Sequence, residues 1–318
     1  MASAPAPEVI MNLVRPSRPA TARVVSNDPC LRGKSASFVR HLVLDVGDTP
    51  LARSFLPGQS FGIIPPGTDE RGRAHKVRLY SIACPSWGED GAGRYLSTTP
   101  KRLIDEHQPQ RPGDDATDHR LFLGVCSNYL CDLKAGDPVS ISGPNGRRFL
   151  LPADPAAHDY LFLATGTGIA PFRGMLLELL ERRPLPCASR IELIMGAPYT
   201  TDLLYDDEFR RLADRHRNFR YHTAISREPD GRGRYVADCL RDDASHFGAL
   251  LASPRTRLYL CGVLGMQVGV YQALGGLGLT DGYLKIDGPL RQTAAAQWTA
   301  AALARHAKPT GRCLLELY

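Results

Sequence analysis

Beyond residue 158 the chain alternates short apolar runs (160–164, 191–195, 258–261) with segments of helical period (171–182, 206–217, 266–277). Such alternation leaves few folds open, because parallel strands need a long crossover between them and a helix is the usual one. A doubly wound parallel sheet is therefore expected for this half. Before residue 155 the grammar differs. Segments rich in Val, Ile, Phe and Tyr (22–26, 37–44, 60–64, 77–82, 121–125, 139–142) are separated by turn residues such as Pro57-Gly58 and Pro65-Pro66-Gly67. They predict an antiparallel, Greek-key barrel. A chain of 318 residues has room for both, so two domains are expected, 1–155 and 156–318. The Gly- and acid-rich stretch 87–93 and the Pro-rich stretch 108–118 read as surface loops.

Within the predicted barrel, Arg78-Leu79-Tyr80-Ser81 sets a fixed cation, a phenol and a hydroxyl side by side. Alternation in a strand puts Arg78 and Tyr80 on one face and Leu79 and Ser81 on the other. A guanidinium can grip a pyrophosphate in bidentate fashion, and a phenol can stack on a flat heterocycle. An ordinary half-exposed strand has the same four residues as an open reading. Further on, Gly124-Val125-Cys126-Ser127-Asn128 ends an apolar run with small residues. If a helix begins at Ser127, the N–H groups there add to its dipole as an anion cradle. Ser127 as a simple N-cap is the alternative.

At the first strand-to-helix turn of the second half stands Thr165-Gly166-Thr167-Gly168-Ile169-Ala170-Pro171. Two glycines let the backbone approach a ligand, and the helix start that follows favours a phosphate. Pro171 replaces the third glycine of the dinucleotide fingerprint and suits a first helical position. A purely structural turn is the competing reading. Ser226, Arg227 and Tyr235 follow the third strand, where a doubly wound fold holds the adenosine half of a dinucleotide. A serine and an arginine there suit the 2′-phosphate of NADP, whereas NAD would call for an acid. Arg232 and Arg234 either assist or belong to a solvated loop.

The eight cysteines are scattered, without Cys-x-x-Cys or His-x-x-x-His. Neither zinc nor haem is suggested by that spacing, and a reducing, cytoplasmic setting is expected. Cys126 and Cys131 open an iron–sulfur interval that Lys134 fails to continue. The net charge of +6 favours anionic partners, but no basic run is dense enough for nucleic acid. Apolar runs are too short to span a bilayer, and the first twenty residues carry no signal-peptide core.

Taken in order, Arg78-Leu79-Tyr80-Ser81, Gly124 to Asn128, Thr165 to Arg173, Ser226-Arg227, Leu260-Cys261-Gly262 and Leu315-Glu316-Leu317-Tyr318 resemble ferredoxin–NADP⁺ reductase of the plant type. The resemblance runs from about residue 20 to residue 318. It implies an FAD-binding antiparallel barrel followed by an NADP-binding parallel sheet. It also implies roles: Arg78 on the FAD pyrophosphate, Leu79 beside it in the strand, Tyr80 stacked on the isoalloxazine, and Ser81 near flavin N5. Gly124, Val125, Cys126 and Ser127 would supply backbone around the pyrophosphate. Thr167 and Gly168 would border the NADP pyrophosphate, Ser226, Arg227 and Tyr235 would hold the 2′-phosphate, and Lys101 with Arg102 would reach toward the same nucleotide.

Cys261 would sit beside the nicotinamide C4, Glu316 near Ser81 as a proton-relaying group, and Tyr318 over the opposite flavin face, from which it must move for nicotinamide to enter. Cys261 also reads as ordinary strand core. Ferredoxin or flavodoxin would be the one-electron partner, with a monomer as the favoured state. A reductase component serving an oxygenase through a separate iron–sulfur protein is the alternative, and a non-catalytic flavoprotein a third. In Cys261-Gly262-Val263-Leu264-Gly265-Met266 the position of a common family lysine is Leu264, and Gly233 stands where a lysine is usual. The Ala-rich stretch 293–307 has no counterpart and is expected as a surface helix.

Overall fold

The computed structural model describes residues 8–106, 115, 117, 119–182, 187–228 and 233–318. The strands are β1 (Ala20–Pro29), β2 (Arg40–Asp45), β3 (Ser60–Ile64), β4 (Arg78–Ser81), β5 (Tyr95–Thr98), β6 (Ile104–Glu106) and β7 (Leu121–Leu123). After α1 (Val125–Asp132) come β8 (Pro138–Asn145), β9 (Asp159–Thr165), α2 (Ile169–Leu180), β10 (Ile191–Ala197), α3 (Asp206–Arg215) and β11 (Phe219–Ile225). The remainder is α4 (Val236–Asp242), α5 (Ala244–Ala252), β12 (Thr256–Gly262), α6 (Leu264–Gly276), α7 (Thr280–Tyr283), β13 (Leu284–Ile286), α8 (Pro289–Gln292), α9 (Ala300–His306), β14 (Ala307–Pro309) and β15 (Cys313–Leu317).

The chain forms two compact units. One comprises Val9–Leu31 and Ala36–Gly146. Its sheet runs β4-β3-β8-β1-β2-β5, with antiparallel pairs throughout. β8 enters between β3 and β1, which is a Greek-key crossover. The two ends of that order are joined just past β4, where the Ala83 N–H donates to the Ser97 carbonyl at 2.8 Å. The interior is filled by Leu42, Leu44, Phe55, Phe61, Ile63, Leu96, Leu130 and Ile141. Most of the second loop expected from the sequence, 108–118, lies outside the described residues.

The other unit comprises Arg147–Tyr318 together with Arg32–Ser35. Its sheet has the order β11-β10-β9-β12-β15, all parallel. Both faces of its inner strands are covered, so they read as continuous apolar runs rather than alternating ones. Leu161, Leu163, Leu258 and Leu260 pack with α4, α5 and α6 residues on one face. Tyr160, Phe162 and Tyr259 pack with Phe149 and Phe172 on the other. Arg32 reaches the start of α3, pairing with Asp207 and standing 3.6 Å from Asp206, and the Ser35 hydroxyl donates to Asp202.

Two element expectations are corrected. The stretch 293–307 is not one surface helix. It breaks into a 3-10 turn, an extended piece and the short α9, because Trp298 and Leu303 turn inward to the core against α6. The helix expected from Ser127 starts at Val125.

Candidate functional site

On the barrel unit, β4 aligns Ser81 with Ser60, Tyr80 with Phe61 and Arg78 with Ile63 of β3. The Tyr80 phenol lies against the Cys126 thiol, and burial pushes both groups up while the Arg78 charge pulls each down. Arg78, Tyr80 and the first turn of α1 are thus neighbours. Because α1 begins at Val125, its first intrahelical bond is from Asn128 N–H to the Gly124 carbonyl. The N–H groups of Val125, Cys126 and Ser127 have no helical partner.

Gly124 is the N-cap and caps nothing with a side chain. A methyl group added to it would lie 2.6 Å from Ser127 Oγ and 2.9 Å from Leu103. The Ser127 hydroxyl, expected as a possible cap, instead donates to the Gly124 carbonyl and accepts from Leu103 N–H at 3.2 Å. Ser81 is fixed from behind by Thr98, whose hydroxyl donates to the Ser81 carbonyl at 2.8 Å. Leu79 is exposed.

The basic pair divides. Lys101 is exposed beside Val39. Arg102 is engaged within the barrel unit: it pairs with Asp132, donates to Asn128 Oδ1 at 2.9 Å and lies 4.6 Å from the Phe38 ring centre.

On the α/β unit the Thr165–Gly168 turn is set by close backbone contacts. Gly166 has φ +53°, and a methyl group on Gly168 would lie 2.1 Å from the Cys261 carbonyl oxygen. Gly262 has φ +146° and would place a methyl group 2.0 Å from Thr165 Oγ1. Only glycine tolerates either position. Thr165 Oγ1 in turn accepts from Val263 N–H at 3.0 Å, tying the turn to the end of β12. Pro171 lies third in α2, after a 3-10 turn at Gly166–Gly168, rather than first.

Tyr318 closes over this turn. Its hydroxyl accepts from Gly168 N–H at 2.8 Å, donates to the Thr165 carbonyl at 3.0 Å and stands 3.1 Å from Thr167 Oγ1. Its own N–H donates to the Gly262 carbonyl at 3.1 Å. Cys261 and Glu316 are direct register partners between β12 and β15. Burial pushes the Glu316 carboxyl up to about 7. The Cys261 thiol is raised by burial and further by the Glu316 charge.

Ser226 and Arg227 leave β11 alongside the end of β10, with their N–H groups donating to the Ala197 and Pro198 carbonyls. Gly233 returns so close that an added methyl group would lie 2.5 Å from the Ser226 carbonyl oxygen. Arg234 is paired with Asp242 at 3.0 Å. Tyr235 is exposed at the start of α4, where Asp238 accepts its N–H. Arg232 lies outside the described residues. The contacts made by Thr165 and Thr98 are absent from the sequence reading, since nothing in a lone threonine marks the backbone atom it will meet.

An oxidoreductase NAD-binding domain model matches residues 162–272. The ferredoxin–NADP reductase of a Spirulina species is 36% identical, over 84% of this chain and 89% of its own. The chloroplastic leaf isozyme 1 of Arabidopsis thaliana is 34% identical over 86% of this chain and 74% of its own. Among solved structures, ferredoxin-NADP⁺ reductase from Plasmodium falciparum shares the fold at 23% identity and a TM-score of 0.68, covering 97% of this chain and 99% of that one. With identity of this level running through both compact units, the chain belongs to the ferredoxin–NADP reductase family.

Proposed function

We propose that this protein is an FAD-dependent reductase that exchanges electrons between NADP(H) and a one-electron protein carrier, ferredoxin or flavodoxin. The observation that carries the reading is similarity to ferredoxin–NADP reductases over 84% of the chain, through the barrel and the parallel sheet alike. The barrel's donor set fits FAD: Arg78 beside the first turn of α1, whose leading N–H groups have no helical partner, suits a pyrophosphate, and Tyr80 offers a flat ring. When bound, the flavin supplies the conversion between paired and single electrons that a nicotinamide and an iron–sulfur carrier require.

The chain's own residues then bind, orient and hold protons. Arg78 and the start of α1 bind the pyrophosphate, Tyr80 orients the ring, and Ser81, held by Thr98, presents its hydroxyl. On the other unit the Gly166–Gly168 turn borders the NADP pyrophosphate, while Ser226, Arg227 and Tyr235 recognise the 2′-phosphate. Arg227 makes no ion pair among the described residues, which supports its use for that charge. A solved P. falciparum relative was determined with 2′P-AMP. Glu316 holds a proton beside Cys261, and Tyr318 guards the turn until nicotinamide replaces it. With Arg102 committed to Asp132, the cation left to reach a nucleotide from that loop is Lys101.

The net charge of +6 suits an acidic carrier. All eight cysteines are free, which supports a cytoplasmic, reducing setting. Among the described residues no helix is long and apolar enough to cross a membrane. The test is optical: the purified protein should carry a flavin spectrum that NADPH bleaches and that ferredoxin or flavodoxin restores. Absence of flavin, or bleaching by neither NADPH nor NADH, would overturn the reading.

A further inference from the structure

On the sheet face covered by α4 and α5, among Ile194, Ala224, Leu240, Phe247 and Leu251, three polar side chains converge from separate elements. Glu192 of β10 is fully buried. Its Oε2 accepts from His222 Nε2 of β11 at 2.8 Å, and its Oε1 accepts from His246 Nε2 of α5 at 2.8 Å. Phe247 flanks both imidazoles, with ring centres 5.4 and 4.9 Å away. One ligand atom from each of the three residues can be chosen so that all lie within 4.8 Å of one another. Within this unit the cluster is separate from the nucleotide residues: Glu192 and His222 lie early and midway along strands whose far ends lead to the nucleotide loops.

We propose that Glu192, His222 and His246 bind a divalent transition-metal ion of the zinc class. Two imidazole nitrogens and one carboxylate oxygen are a recognised three-residue zinc set, at about 2.0–2.2 Å from the metal with a fourth position left to water. The direction of approach is open, because the His222 side chain is 32% exposed while Glu192 is sealed behind it. A buried carboxylate between two imidazoles supplies the negative charge that the ion needs, and the aromatic and aliphatic surroundings hold the rings in place.

Two cations compete for the same groups. Arg190 donates through Nε to Glu192 Oε1 at 3.0 Å, and its Nη2 lies 2.9 and 3.1 Å from the two ring nitrogens of His246. Arg220 stands 3.4 Å from His246 Nδ1. The Arg190 side chain is 39% exposed, so it can swing into solvent when the metal enters. Asp243, which accepts the His246 N–H, and Asp159, which accepts the Arg190 N–H, complete the charged groups around the cluster.

The test uses the FAD-loaded protein and zinc chloride alone, with bound zinc counted after equilibrium dialysis. One zinc per chain is expected, with thermal stability rising as zinc is added. The His222→Asn, His246→Asn double variant should lose affinity by more than about tenfold. Arg190→Met should gain affinity, because it removes the competing cation. No zinc taken up by the wild type, or equal uptake by the double variant, would overturn the proposal, the latter because cysteines would then be the ligands. Should the double variant fail to fold, Arg190→Met still decides: unchanged or weaker zinc affinity sinks the idea.

Discussion

Tyr318 and Glu316 are the side chains on which the proposed chemistry of the α/β unit turns most directly. The Tyr318 hydroxyl already uses the Gly168 N–H and the Thr165 carbonyl, polar groups that an entering coenzyme would otherwise meet. Replacing it by serine leaves the turn open to nicotinamide from either coenzyme, so the 2′-phosphate contacts count for less in selection. For Tyr318→Ser the ratio of kcat/KM for NADPH over NADH is expected to fall by more than about tenfold. Unchanged selectivity in steady-state kinetics would remove Tyr318 from this role.

Glu316, pushed up to about 7 by burial, is protonated in mildly acidic solution, shared between its two forms near neutrality and ionised above. The flavin reduction rate with NADPH should therefore fall as pH rises through about 7 in the wild type. Glu316→Gln should flatten that limb and slow the step by at least about tenfold below it. A folded-state value above the ordinary 4.5 means that the folded protein holds the extra proton, so stability declines as pH climbs from about 4.5 to 7. Glu316→Gln should be spared that decline in denaturant titrations.

At the scale of elements, the β9–α2 turn illustrates what a sequence discloses. Thr165-Gly166-Thr167-Gly168 is legible because glycine at such a turn has few other uses, and the backbone contacts with Cys261 and Tyr318 give the physical reason. Gly168→Ala forces a methyl group into the Cys261 carbonyl. It should cost about 1–3 kcal/mol in denaturant unfolding, and an unaffected midpoint would mean that β12 can retreat. The start of α1 was less legible. Ser127 looks like a cap by type, but Gly124 holds the capping position because the chain must pass Leu103 too closely for any side chain. The 293–307 stretch misleads for a similar reason: alanine favours helix locally, while burial of Trp298 imposes a break. The Glu192, His222 and His246 cluster could not be read at all, since its members come from three elements with no motif spacing.

For the whole molecule, charge and division of the chain matter most. A surplus of positive charge should speed encounter with an acidic carrier and lose that advantage in salt. The kcat/KM for ferredoxin should drop at least several-fold between about 0.05 and 0.5 M salt, while that for a small neutral quinone changes little. Equal salt responses would argue against electrostatic docking. The two-part grammar was legible from the change in hydrophobic period, because parallel and antiparallel sheets bury their strands differently. The attachment of Arg32–Ser35 to the α/β unit was not, since three polar residues and a glycine in a loop carry no pattern. That attachment bears on modularity. A polypeptide cut to begin at Arg147 would part Asp202, Asp206 and Asp207 from Arg32 and Ser35, crowding carboxylates at the start of α3. The nucleotide-binding half is therefore not a portable cassette along the chain: to be transplanted intact, it must carry a short loan from the first hundred residues.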